Sequence, residues 1–333
     1  MHGYKMVDDD LIVSGVQLED KQCPNGCEDD DKLVLNAKDI ICNLPGEFSV
    51  VSCQSCGLLR TNPRPTPETI GFYYPDDYGP YQGTKVSQKE LAGLKRVSWL
   101  RKFIRKLFKF NTNCLPKVNP GRMLEIGCAS GAFMHKMANE GWDVEGIEFS
   151  EAAAESARQL GYNVFAGAVE CAPEPLVKYD LIVGWMVIEH LHDPIKALKK
   201  MRSWVKPGGQ LVISVPNAGS IEFRVFKRNW YALQVPNHLY HFDTETLTEV
   251  LRKSGWRTQK IYHQRVLGNL VASLGYVCNE KFGESFFSNW LMRFPLASGR
   301  LVYLMYPLAF IMSLFGQTGR MTIWAVGADL DEK

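Results

Sequence analysis

The sequence lacks the marks of a secreted or membrane-spanning protein. Asp8 to Asp10 occupy the N-terminal stretch where a secretory signal needs a basic start and then an apolar run. The apolar run at 301–312 is too short to cross a bilayer and contains Pro307. We therefore expect a cytoplasmic location. Thiols stay reduced there, so the nine cysteines are not expected to form a disulfide framework.

The chain also has little net charge. Its 38 basic and 36 acidic side chains give a formal net charge of +2, which does not mark the whole chain as a nucleic-acid binder. Hydrophobic residues make up 46% and charged residues 22%, as is usual for a globular protein with a buried core. A length of 333 residues exceeds one typical domain, so we expect two units, or one large unit with an appendage.

The order of the segments predicts four regions. Paired cysteines come first, and the prolines within 62–67 then favour an extended hinge. Beyond residue 120, β-like runs alternate with helical stretches, which predicts an α/β domain with a mainly parallel sheet. We expect a disordered lead-in at 1–20, a zinc-binding module at 21–62, a linker with a basic amphipathic helix at 63–117, and the α/β domain at 118–333 with an insertion at 266–318.

Hydrophobic runs predict seven strands in the α/β domain. The strands are expected at 123–126, 143–147, 163–165, 180–183, 210–215, 256–262 and 321–326. Helices are expected at 132–140, 151–160, 194–205 and 244–254. Asp193 and Asp243 precede the last two of these helices and are the expected N-caps.

The run from Met123 to Gly131 predicts a ligand-binding turn. It reads as a buried strand, a glycine-bearing turn and a helix start, where backbone N–H groups can meet an anionic group. Ala129 stands where the dinucleotide fingerprint needs its second glycine. The turn therefore suits a ligand without a pyrophosphate. Glu148 then ends the next strand, where a carboxylate can accept both ribose hydroxyls, and Phe149 is positioned to lie against an adenine.

Four segments together resemble the motifs of class I S-adenosylmethionine-dependent methyltransferases, in the same order. They are L-E-I-G-C-A-S-G, E-G-I-E-F-S, Y-D-L-I-V-G-W-M-V-I-E-H-L-H-D-P and V-K-P-G-G-Q-L-V-I-S-V-P-N. The resemblance spans about 120–262 and implies a Rossmann-like fold, with a mainly parallel seven-stranded sheet and helices on both faces. It implies S-adenosylmethionine as cofactor, bound by Glu125, Gly127, Cys128, Gly131, Glu148, Phe149, Ala168, Trp185 and Met186. The aspartate that the family often has after the third strand is missing, since Gly167 is followed by Ala168, so a backbone group is expected to bind the adenine amine.

Four cysteines predict a structural zinc site. Cys23 and Cys27 form one pair, Cys53 and Cys56 form a second pair, and 25 residues lie between the two pairs. Two knuckles with two thiolates each fit tetrahedral zinc. A module of this size cannot bury enough core to fold well without the metal. We therefore expect a small N-terminal zinc ribbon that holds structural Zn²⁺.

The zinc knuckle and the segments that follow it resemble a subset of the methyltransferase family. The matching residues are Cys53 to Leu58, Asn62 to Pro65 and Tyr73 to Pro75. This subset consists of zinc-bearing enzymes of bacterial surface-glycan and sugar-modification pathways. The resemblance implies a small-molecule or glycan acceptor: a sugar, a nucleotide-sugar or a lipid-linked glycan.

Two histidine-containing segments are candidates for the acceptor side. Removal of a proton from a hydroxyl or carbon acid needs a base beside the donor methyl group. Glu189-His190 follows the fourth strand, and a second cluster follows the fifth. That cluster resembles the acceptor motif of sugar C-methyltransferases, although Asn237 replaces the usual glutamate. The expected roles are His238 as base, His190 as the alternative base, and Tyr240 and His241 as acceptor contacts.

Glu189-His190 also keeps part of an E-x-x-E-H pattern. Some methyltransferases use this pattern to bind a divalent cation, but Met186 stands in place of its first acid. The residues therefore leave open whether a catalytic cation is used, and they leave open C-, O- or N-methylation.

The leading function is methyl transfer to a small-molecule or glycan acceptor. One alternative is an RNA methyltransferase that grips nucleic acid with its zinc module, and the near-neutral charge and the acidic run 28–31 argue against it. A second alternative is a non-catalytic donor-binding scaffold. The histidines beside the donor site argue against that alternative.

A basic segment suggests contact with the inner face of a membrane. The helix expected near 97–109 pairs an apolar stripe with five basic side chains and has no acid, as interfacial helices do. The apolar run at 301–312 could dip into one leaflet or cover a greasy acceptor tail. The alternative is that both segments pack on the α/β domain and cover its active site.

Overall fold

The computed structural model describes residues 15–28, 30–75, 115–297 and 301–328, together with Phe103. The cationic helix expected near 97–109 lies outside the described residues except for Phe103, which is helical. Residues 1–14 of the expected lead-in also lie outside them.

The described residues form thirteen strands in three sheets. The strands are β1 (Leu18–Glu19), β2 (Asp31–Ala37), β3 (Phe48–Cys53), β4 (Leu59–Thr61), β5 (Arg64–Pro65), β6 (Arg122–Ile126), β7 (Asp143–Glu148), β8 (Asn163–Ala166), β9 (Tyr179–Trp185), β10 (Val205–Pro216), β11 (Tyr240–His241), β12 (Trp256–His263) and β13 (Arg320–Gly327).

The largest sheet has seven strands in the order β12-β13-β10-β9-β6-β7-β8. The pairs from β10 to β8 are parallel, and β13 runs antiparallel to both of its neighbours. This arrangement confirms the mainly parallel sheet expected from the sequence. The carboxyl ends of β6, β7 and β9 lie at one edge, where ligands of such sheets bind.

Nine α-helices accompany these strands in the described residues. They are α1 (Ala132–Ala138), α2 (Glu151–Arg158), α3 (Pro194–Trp204), α4 (Ile221–Phe226), α5 (Thr244–Lys253), α6 (Gly268–Phe282), α7 (Phe286–Met292), α8 (Phe294–Ala297) and α9 (Leu301–Leu314). The predicted caps are confirmed: Asp193 accepts from the N–H of Lys196, and Asp243 accepts from that of Thr246. Such caps satisfy N–H groups that have no partner inside the helix.

Both faces of the large sheet are buried. Neighbouring residues of one strand point to opposite faces. Met123 and Leu124 of β6 accordingly belong to two different hydrophobic clusters, as do Leu181 and Ile182 of β9. All four side chains are at most 2% exposed. The near-continuous apolar runs in the sequence therefore reflect a sheet covered on both faces.

The N-terminal strands are joined to the α/β domain. The four-stranded sheet has the order β11-β4-β3-β2, so the β11 strand of the later chain completes a sheet made by the cysteine-containing segment. The end of the expected lead-in forms a strand instead of being disordered, because β1 pairs with β5. The segment expected as an extended hinge contacts the α/β domain. Arg64 of β5 is buried and donates to the carbonyl of His192.

The segment expected as an insertion, 266–318, is helical over α6 to α9. In α9 the helix continues through Pro307. Within the described parts of the chain, no helix combines the length and the apolar character that a bilayer crossing requires.

Candidate active site

A tight turn connects β6 to α1. Gly127 and Gly131 both have positive φ, at 67° and 80°, where side chains are disfavoured. A Cβ on Gly127 would also lie 2.5 Å from a methyl group of Val187, and one on Gly131 would lie 3.0 Å from the Cβ of Ala157. The turn therefore needs glycine at both positions, and its backbone lies open to a close approach at Gly127, which lines a cavity.

Glu148 ends β7 and lies against the same turn. One carboxylate oxygen accepts from the N–H of Ala129 at 2.8 Å, and the other accepts from the N–H of Ser150 at 2.9 Å. Burial raises the pKa of Glu148, although these N–H groups act in the opposite direction. A carboxylate has about four lone-pair sites. Two therefore remain for a ligand.

A cavity of about 1820 Å³ lies beside this turn. Six of the nine donor-site residues expected from the sequence line it: Gly127, Glu148, Phe149, Ala168, Trp185 and Met186. Phe149 is 57% exposed, so its ring is accessible to a ligand in the cavity. The structure therefore brings these six residues together around one space.

Three expected donor-site residues do not line the cavity. Gly131 lies behind the turn at the start of α1. Cys128 is buried in the core, where its Sγ lies 2.6 Å from the position of a Cβ on Gly146. Glu125 is buried with Oε2 lacking a hydrogen-bond partner among the described residues, and burial together with the charge of Glu148 raises its pKa well above the usual value.

Trp185 is the last residue of β9, and Met186 follows it. The indole Nε1 of Trp185 is buried and has no hydrogen-bond partner among the described residues. Met186 has a φ of 59°. A buried N–H without a partner carries an energetic cost, so the Trp185 indole beside the cavity can donate to a bound ligand.

His190 and His238 line the cavity. The part of the cavity beside these two histidines is called its acceptor side. His190 lies in the 3₁₀ helix Ile188–His190 after β9, and His238 precedes β11. Their ring centroids are 4.6 Å apart in an edge-to-face arrangement. The two segments expected to supply a base thus meet at one place.

Carbonyl groups fix the tautomer of both rings. Nδ1 of His190 lies 2.9 Å from the carbonyl oxygen of Asn237, and Nδ1 of His238 lies 2.9 Å from that of Ala232. A carbonyl can only accept, so each Nδ1 carries the hydrogen and each Nε2 has a free lone pair. Burial lowers the pKa of His190 to about 4 and that of His238 well below its usual value. Both rings are therefore neutral at physiological pH.

The other two acceptor-side candidates are placed elsewhere. Tyr240 and His241 form β11 and do not line the cavity. Nε2 of His241 lies 3.2 Å from Oγ1 of Thr61, and the hydroxyl of Tyr240 donates to the carbonyl of His192. Both residues pair with β4 of the cysteine-containing segment. The sequence did not predict this pairing, because alternation cannot show which sheet a two-residue strand joins.

Three residues near the histidines were not assigned to the site from sequence. Glu189 is fully buried, and both of its carboxylate oxygens lack a hydrogen-bond partner among the described residues. The Tyr74 hydroxyl lies 2.8 Å from Nδ1 of His190, and Arg320 lines the cavity. The adjacency of Glu189 to His190 was the available sequence signal for the first. Local sequence carries no signal for the other two, which come from distant segments.

The four paired cysteines lie close together. The Sγ atoms of Cys23, Cys27, Cys53 and Cys56 are all within 4.8 Å of one another. Burial raises the pKa of the Cys56 thiol, but hydrogen bonds from Asn25 and other neighbours outweigh it and lower this pKa to about 7. Four sulfur ligands in such a cluster match the ligand set of a structural zinc site.

The cysteine-containing segment also forms one wall of the cavity. The loop between β2 and β3 contributes residues 38–44 to the lining, and the C-terminal helices contribute Tyr276 and Arg293. The cavity is therefore enclosed by three parts of the chain, of which only one carries the donor-side turn.

Comparison with known proteins shows similarity over the α/β domain. Residues 97–261 match the family described as a methyltransferase domain. The ubiquinone biosynthesis O-methyltransferase of Paraburkholderia phymatum is 30% identical over 131 residues, covering 36% of this chain and 56% of the relative. The protein of the same name from Bordetella avium is 33% identical over 109 residues, covering 31% and 45%. The chain thus spans about half the length of the curated relatives it matches.

Among solved structures, similarity extends to two S-adenosylmethionine-dependent methyltransferases. The one from Mesorhizobium loti aligns with a TM-score of 0.42 and 16% identity, covering 64% of this chain and 93% of that chain. The one from Archaeoglobus fulgidus aligns with a TM-score of 0.44 and 19% identity, covering 75% and 100%.

Proposed function

Residues 97–261 match the family described as a methyltransferase domain, and from this match we propose that the whole protein transfers a methyl group from S-adenosylmethionine to a small-molecule acceptor. The observation that carries the proposal is a single cavity lined both by the glycine turn with Glu148 and by His190 with His238. A donor and an acceptor bound there would share one enclosed space, as in-line transfer requires.

The donor side offers groups of the right chemistry. The methionine end has a carboxylate that can accept from backbone N–H groups and from the unpartnered Nε1 of Trp185. Its amino group is a donor, and Glu125, which was expected at this end, lies behind the turn and does not line the cavity. The remaining lone pairs of Glu148 suit the two ribose hydroxyls, and the exposed ring of Phe149 suits the adenine. Bound S-adenosylmethionine supplies a methyl group on a positively charged sulfur.

The acceptor side must take up a proton if the acceptor is a hydroxyl. His238 is the proposed base, because its Nε2 has a free lone pair and the residue lines the cavity. The low pKa of the ring keeps it available as an acceptor but makes it a weak base. An acceptor hydroxyl that is acidified by its own chemistry or by a nearby cation fits such a ring.

The kind of acceptor is proposed from two sources. The curated relatives are named for O-methylation in ubiquinone biosynthesis, which favours oxygen as the methylated atom. The proposal that the acceptor is a sugar, nucleotide-sugar or lipid-linked glycan rests on the sequence motifs alone. Neither RNA methylation nor a non-catalytic role gains a supporting observation from the part of the chain that the structure describes.

The cysteine cluster is proposed to hold one structural Zn²⁺. Its four sulfur atoms leave no position for a substrate in a tetrahedral site. The zinc would fix the ends of β3 and of the loops around it, and with them the wall formed by 38–44.

Peripheral membrane contact is proposed through 97–109 and 301–312. The support is the surface of α9, where the side chains of Leu304, Leu308 and Ile311 are exposed. Apolar side chains on one face of a surface helix are typical of interfacial contact.

A screen with labelled donor tests the proposed function. Purified protein is mixed with S-adenosylmethionine carrying a labelled methyl group and with small hydroxyl-bearing molecules, nucleotide-sugars, lipid-linked glycans or bulk RNA. Transfer to a small molecule or glycan is the expected result. Absence of S-adenosylmethionine binding in calorimetry would overturn the proposal, and transfer to RNA alone would replace the acceptor class.

A further inference from the structure

Three side chains that can each offer an acceptor atom converge on the acceptor side of the cavity. Glu189 and His190 lie in the 3₁₀ helix after β9, and His238 comes from the segment before β11. One ligand atom from each lies within 4.8 Å of the others. Residues almost fifty positions apart are thus held at the distances that a shared ion would need.

The carboxylate of Glu189 is the group that most requires a partner. The residue is fully buried, and neither of its oxygens has a hydrogen-bond partner among the described residues. A buried carboxylate without donors is strongly disfavoured unless a proton or a cation neutralises it. Without a cation the carboxyl group holds a proton taken from solvent, and a bound cation would replace that proton.

The same hydrogen bonds orient the imidazoles as ligands. A histidine that binds a metal commonly donates its other ring N–H to a carbonyl or carboxylate, which fixes the ring and its tautomer. His190 and His238 both show this arrangement. Because Nδ1 of each ring carries the hydrogen, Nε2 is the ring nitrogen that can bind an ion beside the Glu189 carboxylate.

The local charge leaves room for a cation. Arg320 acts on the buried carboxylates of Glu189 and Glu222, so one positive charge faces two acids. Oε2 of Glu222 also lacks a hydrogen-bond partner among the described residues. A cation that displaces the protons of these two carboxyl groups would therefore balance the second negative charge.

We propose that Glu189, His190 and His238 hold one divalent cation, of the class that accepts mixed nitrogen and oxygen ligands, such as Mn²⁺. This inference rests on the proposed function and deepens it. Three protein ligands leave open coordination positions for oxygens of the acceptor. Met186 replaces the first acid of the E-x-x-E-H pattern, and His238 supplies a ligand from outside that pattern instead.

The cation would change the proton step of the reaction. A hydroxyl beside a divalent cation is more acidic than a free one, so it can give its proton to solvent water. Its oxygen then forms a bond to the methyl carbon, and the carbon–sulfur bond breaks with its electron pair moving to sulfur. In that arrangement His238 is a ligand, and the proton passes to solvent instead of to the His238 ring that serves as base when no cation is bound.

Titration with Mn²⁺ tests the site on the full-length, zinc-loaded protein. Free Mn²⁺ is followed by electron paramagnetic resonance, and Mn²⁺ is chosen because it competes poorly for a four-thiolate site. We expect saturable binding of one Mn²⁺ per chain. Glu189→Gln should weaken it at least tenfold while the affinity for S-adenosylmethionine in calorimetry stays unchanged. Glu170→Gln is the matched control, since Glu170 lines the same cavity outside the cluster.

A second variant keeps the test decisive. His238→Gln should show the same loss of Mn²⁺ binding, and circular dichroism shows whether each variant is folded. Unchanged Mn²⁺ affinity in either folded variant, or no saturable binding to the wild-type protein, overturns the metal site. These results leave the proposed function standing, because donor binding and methyl transfer are measured separately. Absent donor binding with intact Mn²⁺ binding would sink the proposed function and leave the metal site standing.

Discussion

At the scale of single residues, Glu148 has both a structural and a proposed binding role. Its two oxygens accept from Ala129 in the glycine turn and from Ser150 at the start of α2. The same residue lines the cavity. A substitution there is expected to loosen the turn as well as to remove ligand contacts, so the two effects must be measured apart.

Glu148→Ala should weaken binding of S-adenosylmethionine by about 2–4 kcal/mol, the range for losing two charge-assisted hydrogen bonds. Glu148→Gln keeps one carbonyl acceptor and should have an intermediate effect. Isothermal calorimetry gives the affinity, and urea denaturation gives the change in unfolding free energy. Glu151→Ala removes an exposed glutamate of α2 and should leave both quantities nearly unchanged. Equal donor affinity in Glu148→Ala and wild type would remove Glu148 from the site.

His241 provides a prediction about pH. Burial lowers its pKa to about 3, whereas an unfolded histidine has a pKa near 6.5. Below pH 6.5 the unfolded chain therefore binds a proton that the folded chain does not. The stability contributed by the neutral ring is present above pH 6.5 and is lost as the pH falls toward 3.

The slope of stability against pH measures this contribution. Between pH 6 and pH 5, His241 should lower the unfolding free energy by about 1 kcal/mol, since one pH unit corresponds to about 1.4 kcal/mol for a fully titrating group. His241→Gln should reduce the decline by that amount in urea denaturation at the two pH values. His135→Gln, on α1 and only partly buried, serves as the control. The same decline in His241→Gln as in wild type would contradict the prediction.

The residues of the candidate site differ in how far sequence could locate them. Gly127, Glu148 and Trp185 stand at or just after strand ends, so a local pattern and the rule for parallel sheets place them at one edge. The proximity of His238 to Glu189 depends on how two distant segments pack. Tyr240 and His241 share the histidine-rich run with His238, yet strand alternation and pairing with β4 direct them elsewhere.

At the scale of elements, strand β11 joins the acceptor side to the cysteine-containing segment. Tyr240 and His241 pair with Arg60 and Leu59 of β4, and the hydroxyl of Thr61 donates to the carbonyl of His238. The sequence predicts that the segment between β10 and β11 contributes to the acceptor site. It does not predict the pairing of β11 with β4, because β4 lies some 180 positions earlier in the chain. Sequence therefore predicted the elements of the large sheet well, and it missed the shared sheet.

Cys53→Ser tests the coupling through this shared sheet. The variant should lose its bound zinc, because a serine hydroxyl is a poor replacement for a thiolate ligand. With the wall at 38–44 and strand β4 loosened, the KM for the acceptor should rise about tenfold or more. Elemental analysis reports the zinc, and steady-state kinetics with the acceptor identified by the screen report the KM.

Donor binding should survive the same change. The glycine turn and Glu148 belong to the large sheet, so calorimetry with S-adenosylmethionine should give nearly the wild-type affinity. Cys171→Ser, which alters an exposed cysteine away from the cluster, should retain both zinc and KM. Zinc absent from freshly reduced wild-type protein, or an unchanged acceptor KM in zinc-free Cys53→Ser, would contradict the coupling.

At the scale of the whole molecule, the cavity is walled by the large sheet, the cysteine-containing segment and the C-terminal helices. The outer surface of those helices is unusually apolar. Phe282 and Phe286 are more than 80% exposed, and Leu304 on α9 is 78% exposed. Exposure of so many large apolar side chains to water is unfavourable in free energy. We therefore expect this surface to bind a membrane or another apolar partner.

Binding to lipid vesicles is the prediction that follows for α9. Leu304, Leu308 and Ile311 are spaced by four and three positions, which places them on one face of the helix. All three are exposed, so replacing them with serine should leave the fold intact. The wild-type protein should co-sediment with anionic vesicles at low salt, and the triple variant should co-sediment several-fold less.

The basic segment near 97–109 contributes the second half of this prediction. Charge attraction to anionic lipid weakens with salt, so changing Arg101, Lys102, Arg105 and Lys106 to glutamine should remove the salt-sensitive part of the binding. The apolar contact of α9 should persist in that variant, since burial of apolar surface does not depend on charge. Neutral vesicles separate the two contributions, because they should retain only the apolar part. If the wild-type protein stays in solution with anionic vesicles at low salt, α9 instead covers an apolar partner or acceptor, and a soluble acceptor such as a nucleotide-sugar becomes the better candidate.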